Sequence, residues 1–145
     1  MSDRPSRIET LMRCAWVWAD RSTCDRLHVG AVLSRDYRIL VTGYNGPPSG
    51  ATHCHHNSNA PCEAAVHAEA NLIAFAARHG VETLGAQVIV THMPCVKCAQ
   101  LIINAGISMV TYDKPYRDPS GVQLLRNSGV AVVSYEVPDW MVKGG

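Results

Sequence analysis

Two short stretches of the sequence carry residues that can bind a metal and move protons. The first is His67-Ala68-Glu69, and the second is Pro94-Cys95-Val96-Lys97-Cys98. Cys95 and Cys98 are three residues apart, so they share a face in the first turn of a helix, where the helix dipole favours the thiolate form that binds zinc. With His67 as a third ligand, one coordination position stays open for water, as in catalytic zinc sites.

Glu69 follows His67 by two residues, which is a rotation of roughly 200° on a regular helix. Both side chains can border one pocket only if the metal lies at the N-terminal end of that helix. Glu69 is therefore expected to be a proton shuttle between water and substrate rather than a fourth ligand. A lone CxxC carries little weight, but H-x-E followed by P-C-x-x-C is the signature of zinc-dependent deaminases.

The elements that must position these residues follow from hydrophobic periodicity and from Gly and Pro breaks. Strands alternate with helices after a first helix and a hairpin, which predicts a mostly parallel sheet covered on both faces. The sequence thus indicates one α/β domain over residues 1–145, a three-layer α/β/α fold with a five-stranded mixed sheet. The expected helices are 6–21, 63–78, 95–105 and 120–127, and the expected strands are 28–34, 39–44, 87–91, 107–112 and 130–135.

The composition is that of an ordinary protein of aqueous surroundings. The 145 residues are 47% apolar and 17% charged, with a formal net charge of +1. No apolar run approaches the roughly 20 residues of a membrane span, and no basic block is present that would grip a nucleic-acid backbone. The N-terminal residues lack the apolar core of a signal peptide. We therefore expect a cytoplasmic protein with a small-molecule substrate and with neither membrane nor nucleic-acid partners.

Further stretches resemble the cytidine deaminase superfamily and, within it, the deoxycytidylate (dCMP) deaminases of phage and bacteria. They are Thr23-Cys24 through Val29-Gly30-Ala31, Gly43-Tyr44-Asn45-Gly46 with Pro48 and Gly50, His53-Cys54, His67 to Asn71, Thr91 to Ala99, Ala105-Gly106-Ile107, and Tyr112 with Tyr116-Arg117-Asp118. The resemblance implies a cytidine-deaminase-like fold and a catalytic Zn²⁺ on His67, Cys95 and Cys98, with Glu69 as the proton shuttle. The implied reaction is hydrolysis of dCMP to dUMP and ammonia, which supplies dUMP for thymidylate synthesis.

The same resemblance implies contacts with the substrate. Asn45 matches a residue that contacts the sugar, and the backbone around Ala68 would face the base. Arg78 aligns with an arginine implicated in nucleotide recognition and is the candidate for the phosphate, whereas Tyr116 would form a wall of the nucleotide pocket. The alternatives are a solvated charge for Arg78 and simple packing for Tyr116.

A second, structural zinc is also implied by the resemblance. Cys24, Cys54 and Cys62 match cysteines that hold such an ion in some relatives. The fourth ligand is open, because Pro61 stands where relatives often have a histidine. His56 is favoured over His53 and His55, and the alternative is a set of three reduced cysteines without metal.

The resembling enzymes are commonly hexamers that dCTP with Mg²⁺ activates and dTTP inhibits. A homo-oligomer, with a hexamer favoured, is therefore expected here. Gly43, Asn45, Gly46 and Gly50 belong to the loop that lies at or near the allosteric site of these enzymes. The alternative is a loop that only shapes the active site and binds no effector.

Other functions stay open at this point. The enzyme alternatives are deamination of a modified deoxycytidylate, of another cytosine nucleoside or nucleotide, or of a tRNA adenosine. A DNA-uptake accessory protein is an alternative from a different class. The near-neutral charge argues against the last two, since both need a surface for nucleic acid.

Overall fold

A five-stranded sheet with helices on both faces forms the body of the protein, and the computed structural model describes residues 3–52 and 64–142. The predicted α/β architecture with a five-stranded mixed sheet is thereby confirmed. The elements in chain order are α1 (Arg7–Ala19), β1 (Gly30–Arg35), β2 (Arg38–Tyr44), α2 (Ala68–Arg78), β3 (Gln87–His92), α3 (Val96–Asn104), β4 (Met109–Lys114), α4 (Ser120–Asn127), β5 (Ala131–Ser134) and a 3₁₀ helix (Asp139–Met141).

The strand order determines which ends of the strands meet at the site. The order is β2-β1-β3-β4-β5, and β1 runs antiparallel to both of its neighbours. By contrast, β3, β4 and β5 are mutually parallel. The start of β1 and the ends of β2, β3 and β4 therefore lie at one edge of the sheet.

Each face of the sheet buries its own apolar cluster. On one face α1 packs against side chains such as Val32 and Ile89, and Val137 of the C-terminal segment joins them. On the other face side chains of α2, α3 and α4 pack against Ala31, Leu33 and their neighbours. Successive side chains of β1 point to opposite faces of the sheet and contribute to both clusters. The sheet therefore lies between two layers of helices.

Most element boundaries lie within two residues of the predicted ones, and the predicted cap of α1 is present. The Ser6 side chain accepts a hydrogen bond from the Glu9 amide at 3.1 Å. The hairpin turn consists of Asp36 and Tyr37, both with positive φ, as tight two-residue turns require.

The predicted start of the second helix, near residue 63, was wrong. The helix begins at Ala68, because His67 is extended (φ −66°, ψ 152°) and acts as its N-cap residue. The preceding Val66 forms an isolated antiparallel bridge with Gly46. A chain segment paired in this way cannot supply helical backbone, so α2 starts five residues later than its alanine-rich sequence suggests.

Candidate active site

The three predicted metal ligands come together at the starts of two helices. His67 is the N-cap residue of α2, Cys95 is the N-cap residue of α3, and Cys98 lies in the first turn of α3. Nδ1 of His67 lies 3.4 Å from Sγ of Cys95 and 3.3 Å from Sγ of Cys98. The three ligand atoms lie within 4.8 Å of one another.

This donor set fits zinc. Bonds of about 2.3 Å to sulfur and 2.0 Å to nitrogen at tetrahedral angles place S and N roughly 3.5 Å apart. The observed N–S distances of 3.3 and 3.4 Å agree with that value. Among the described residues, this is the group of His, Cys, Asp and Glu side chains with the geometry of a metal site. Three ligands leave one tetrahedral position for water.

The loop after β2 positions His67. Gly46 and Val66 exchange two backbone hydrogen bonds, of 3.1 and 2.7 Å. Position 43, where β2 meets α2, requires glycine, since a Cβ there would lie 2.8 Å from the Ala68 carbonyl oxygen. Asn71 of α2 donates a hydrogen bond to the Tyr44 carbonyl at 2.8 Å. These contacts join the start of α2 to the end of β2.

The Cys95 turn is positioned by α4. Gly121 packs directly against the Pro94–Cys95 peptide, and a Cβ there would overlap the Pro94 carbonyl oxygen and lie 2.8 Å from the Cys95 carbonyl carbon. A side chain at position 121 would therefore push the start of α4 away from the start of α3.

Glu69 lies in the first turn of α2 and is buried, with 4% of its surface exposed. Burial raises the pKa of its carboxyl to about 7, while the charge of His67 opposes this shift. A carboxyl with a pKa near neutrality can both accept and release a proton at working pH, which is what a general acid and base requires.

The two cysteines differ in their acidity. A hydrogen bond from Cys98 lowers the pKa of Cys95 to about 3, and His67 contributes in the same direction. The Cys98 backbone N–H also points at the Cys95 sulfur, at 3.5 Å. The hydrogen bond with Cys95 and burial raise the pKa of Cys98. Cys95 is therefore the thiolate that is ready to receive a cation.

A pocket opens above these residues. Its floor includes His67, Ala68, Glu69 and Cys95, and its remaining walls come from the segment before β1, the residue after β2, and the ends of β3 and β4. These wall residues are Cys24, Arg26, Leu27, Val29, Asn45, Ala65, His92, Met93, Pro115 and Tyr116.

Three of the four predicted substrate contacts line this pocket: Asn45, Ala68 and Tyr116. Asn45 also holds the pocket wall, since its Oδ1 accepts from the Val29 amide at 2.8 Å and its Nδ2 donates to the Leu27 carbonyl at 2.7 Å. Its amide group thereby fixes the segment that enters β1.

Arg78 is not brought to the pocket within this chain. It is the last residue of α2, nine residues beyond Glu69, so a rise of 1.5 Å per residue separates the two by about 13 Å. Arg78 is not among the described residues that line the pocket, and its role as the reader of the phosphate stays a prediction. Helical spacing could have revealed this distance from the sequence.

The remaining predicted residues divide between described and undescribed parts of the chain. Cys24 is buried and borders the pocket. Cys54, Cys62 and His56, the other candidates for a structural zinc, lie outside the described residues, as do His53 and His55. Of the predicted allosteric residues, Gly43, Asn45 and Gly46 contribute to the contacts that position the site. Gly50 has positive φ, and no atom of the described residues lies within 4 Å of where its Cβ would be.

Sequence reasoning assigned no role to two polar residues of the pocket, Arg26 and His92. Both lie in stretches that carry the family resemblance. The charge of Arg26 lowers the pKa of His67, although hydrogen bonding to Cys95 raises it more, so the guanidinium lies within electrostatic range of the metal ligands. Their proximity in sequence to motif residues could have indicated that both belong to the site.

In the described ranges, none of the helices has the length and apolar character that a membrane crossing requires.

Comparison with known proteins agrees with this geometry. Residues 5–114 match the family described as the cytidine and deoxycytidylate deaminase zinc-binding region. ComE operon protein 2 of Bacillus subtilis is 40% identical over 119 residues, which span 79% of this chain and 63% of that protein. The deoxycytidylate deaminase of Mycobacterium phage D29 is 38% identical over 126 residues, spanning 77% of this chain and 97% of the phage enzyme.

Among solved structures, the dCMP deaminase of cyanophage S-TIM5 in complex with dCMP and dUMP is similar over 92% of this chain and 100% of its own. The TM-score is 0.85 and the sequence identity is 32%. The family match over residues 5–114 contains His67, Cys95, Cys98 and Glu69. The chain therefore belongs to the cytidine and deoxycytidylate deaminase family.

Proposed function

We propose that this protein hydrolyses dCMP to dUMP and ammonia and so supplies dUMP for thymidylate synthesis. The observation that carries the proposal is the buried carboxyl of Glu69 beside the His67, Cys95 and Cys98 triad at the floor of one pocket. The similarity to phage enzymes named for this reaction supports the choice of substrate.

The chain's own residues account for the proton transfers. His67, Cys95 and Cys98 would hold Zn²⁺, which when bound supplies Lewis-acid activation of a water nucleophile. Glu69 would take one proton from the attacking water and deliver it to N3 of the pyrimidine. It would then take the proton of the hydroxyl added at C4 and pass it to the amine, so that ammonia leaves and the C4 carbonyl forms. Its pKa of about 7 suits both directions of transfer.

The assignment of the nucleotide to the pocket rests on the resemblance and on the pocket lining. Asn45, Ala68 and Tyr116 all line the pocket. We assign the Ala68 backbone and Tyr116 to the base and Asn45 to the sugar, as the resemblance implies. Among the described residues that line the pocket, Arg26 carries the permanent positive charge. We assign the phosphate to Arg26, because a guanidinium forms strong charge-assisted hydrogen bonds with phosphate oxygens.

Ammonia release from a panel of substrates tests the proposal. The panel contains dCMP, deoxycytidine, cytidine, dCTP, adenosine-containing tRNA and short oligonucleotides. We expect dCMP to be the best substrate and Glu69→Ala to abolish the activity. If tRNA or a free nucleoside is turned over faster than dCMP, the assignment of dCMP as the substrate is wrong. If no compound of the panel releases ammonia, the assignment as an enzyme is wrong.

Several finer properties remain proposals that rest on the resemblance. They are a structural Zn²⁺ on Cys24, Cys54 and Cys62 with His56, a homo-oligomer with a hexamer favoured, and a cytoplasmic location. Light scattering coupled to size-exclusion chromatography checks the oligomer, and a monomer at micromolar concentration would rule it out.

Effector control is proposed on the same basis, with activation by dCTP and Mg²⁺ and inhibition by dTTP. Coupling of about 1–3 kcal/mol would shift apparent affinity roughly 5- to 150-fold. The test is dCMP saturation with and without each effector at fixed Mg²⁺. Superimposable hyperbolic curves would mean that the loop around Gly43, Asn45, Gly46 and Gly50 only shapes the active site.

A further inference from the structure

His92 is a pocket residue that the proposed reaction does not use. It ends β3, three residues before Cys95, and it lines the pocket without belonging to the metal-binding group. Its ring lies edge-on to Trp16 of α1, with the ring centroids 5.5 Å apart. The imidazole is therefore packed in a fixed orientation at the edge of the site.

Thr91 determines which nitrogen of His92 carries the proton. The Thr91 hydroxyl accepts a hydrogen bond from the Gly30 amide at 3.1 Å, and it lies 2.7 Å from Nδ1 of His92. Thr91 is fully buried, so its own hydroxyl proton needs an acceptor, and Nδ1 is the one within reach. With Nδ1 as the acceptor, the proton of the neutral ring is on Nε2.

The surroundings keep the ring uncharged and leave Nε2 available. Burial lowers the pKa of His92 to about 4, although the nearby Asp113 carboxylate opposes this shift and Lys114 adds to it. Asp113 is already occupied, since it accepts hydrogen bonds from Trp16 Nε1 at 2.8 Å and from the Val137 amide at 3.3 Å. Within the described part of the chain, no residue is hydrogen-bonded to Nε2 of His92, and this atom is not among the buried polar atoms without a partner. Since the ring lines the pocket and Nδ1 is held by Thr91, Nε2 is the ring nitrogen available to a ligand there.

The positions of the other groups indicate which edge of the base His92 would meet. In the proposed reaction, C4 faces the metal ligands and N3 faces Glu69, so C5 lies on the side away from Glu69. Glu69 is on α2, which packs mainly over β1 and β2. His92 ends β3, and the neighbouring wall residues Pro115 and Tyr116 follow β4. The wall formed by β3 and β4 is thus the one that C5 would approach.

We propose that His92 is a specificity-determining residue that donates a hydrogen bond from Nε2 to an acceptor on C5 of the cytosine ring. The pocket would then favour a deoxycytidylate whose C5 substituent carries an oxygen over one whose substituent is a methyl group of similar size. This inference rests on the proposed dCMP deaminase activity.

The test compares dCMP, 5-methyl-dCMP and 5-hydroxymethyl-dCMP as substrates of the wild-type protein, His92→Leu and His92→Gln. We expect wild-type kcat/KM for the hydroxymethyl substrate to exceed that for the methyl substrate by about three- to tenfold, as one neutral hydrogen bond allows. His92→Leu should abolish this preference, while His92→Gln, which keeps an N–H near the Nε2 position, should retain part of it. Thr91→Val removes the hydroxyl that fixes the proton of His92 on Nε2. This variant should therefore reduce the preference for the hydroxymethyl substrate without abolishing it.

A structural role for His92 would change all three substrates by one common factor, and that result overturns the proposal. Equal kcat/KM for the methyl and hydroxymethyl substrates in the wild-type protein overturns it as well. Competition by 5-hydroxymethyl-dUMP and by dTMP for the pocket of the wild-type protein gives the same comparison without turnover, so it applies even if the variants fold poorly. Failure of the proposed function is seen separately, as absence of ammonia release from dCMP.

Discussion

His67 and Cys95 occupy equivalent positions in the fold: each is the residue immediately before a helix, and Nδ1 of one lies 3.4 Å from Sγ of the other. The N-termini of α2 and α3 therefore point at the same spot. Each brings the positive end of a helix dipole, which stabilises negative charge within the first turn. The metal ligands and the anionic groups of the reaction share this favourable field.

Removing one of these ligands should remove one metal ion. We expect about two zinc ions per chain in the purified protein and about one in Cys95→Ser, which should be inactive because the three-ligand site is broken. Cys14→Ser, on α1, is the control and should keep both ions. Elemental analysis of the three proteins measures this, and one zinc in the wild-type protein would exclude the structural site.

Loss of the structural site should affect stability rather than chemistry. Cys24→Ser and Cys62→Ser should lower the melting temperature, because the binding energy of a structural zinc contributes to folding. Activity per folded molecule should change little in Cys62→Ser, whereas Cys24 also borders the pocket, so its variant is judged by its melting temperature alone. If both variants melt like the wild-type protein, those cysteines hold no metal.

Glu69→Gln should stop the reaction without disturbing the site. The amide keeps the shape of the buried side chain but cannot transfer protons, so kcat should fall by about 10²- to 10⁴-fold or more. The zinc content should be unchanged. Glu82→Gln is the matched control, since Glu82 is an exposed carboxylate. Wild-type kcat in Glu69→Gln would remove this residue from the mechanism.

The raised pKa of Glu69 also predicts a pH dependence of stability in the zinc-free protein. A carboxyl whose pKa is higher in the folded state binds its proton more tightly there, so its contribution is fully present below the unfolded pKa. That contribution is lost as pH rises through about 7. Relative to Glu69→Gln, the wild-type protein should lose about 3 kcal/mol of unfolding free energy between pH 4 and pH 8.

Urea unfolding of both zinc-free proteins across this range provides the measurement. Titrating groups remote from Glu69 are common to the two proteins and cancel in the difference, which therefore reports Glu69 together with the groups coupled to it, His67 and Cys98. Glu82→Gln controls for the change in net charge. A difference that does not vary with pH would show that Glu69 is not held in a desolvated environment.

Arg26→Ala should weaken dCMP turnover selectively. Loss of a charge-assisted hydrogen bond of about 1.5–3 kcal/mol corresponds to a decrease of roughly 10- to 150-fold in kcat/KM. Deoxycytidine, which has no phosphate, should be nearly unaffected. Arg78→Ala is the comparison, and we expect it to change both substrates little. If instead Arg78→Ala alone discriminates between the two substrates, the phosphate assignment to Arg26 is wrong.

Gly121→Ala should damage the metal site from outside it. The added methyl group overlaps the Pro94–Cys95 peptide, so we expect a loss of about 1–3 kcal/mol in stability together with weaker zinc binding. Gln123→Ala, at an exposed position of the same helix, should be neutral. Zinc titration and thermal melting distinguish the two variants, and wild-type zinc affinity in Gly121→Ala would mean that α4 does not position Cys95.

The sheet and the grouping of His67, Cys95 and Cys98 could be predicted from the sequence because each depends on local chemistry. Periodicity sets helices and strands, and the spacing of Cys95 and Cys98 places them on one helical turn. The start of α2 was missed because it depends on the Gly46–Val66 bridge, a contact between residues 20 apart in sequence. No local preference of an alanine-rich segment encodes such a contact.

The positions of Arg26 and His92 in the pocket wall were missed for a related reason. Each depends on the convergence of strand ends that only the strand order creates, with β1 antiparallel to β3 and β3 parallel to β4. Arg78 was assigned to the phosphate by resemblance. It ends α2 and does not line the pocket, so residue type and alignment alone do not locate its contact, and the assignment stays a prediction.

The contacts of Gly43 and Gly121 have a consequence for how this protein can evolve. They fix the two helix starts that carry the chemistry, and neither position tolerates a side chain without displacing backbone. The walls that meet the nucleotide instead lie at strand ends and in connecting segments, where substitutions are accepted more readily. We therefore expect substitutions that change substrate preference to be accepted at the strand ends and connecting segments, while the backbone at the starts of α2 and α3 stays fixed.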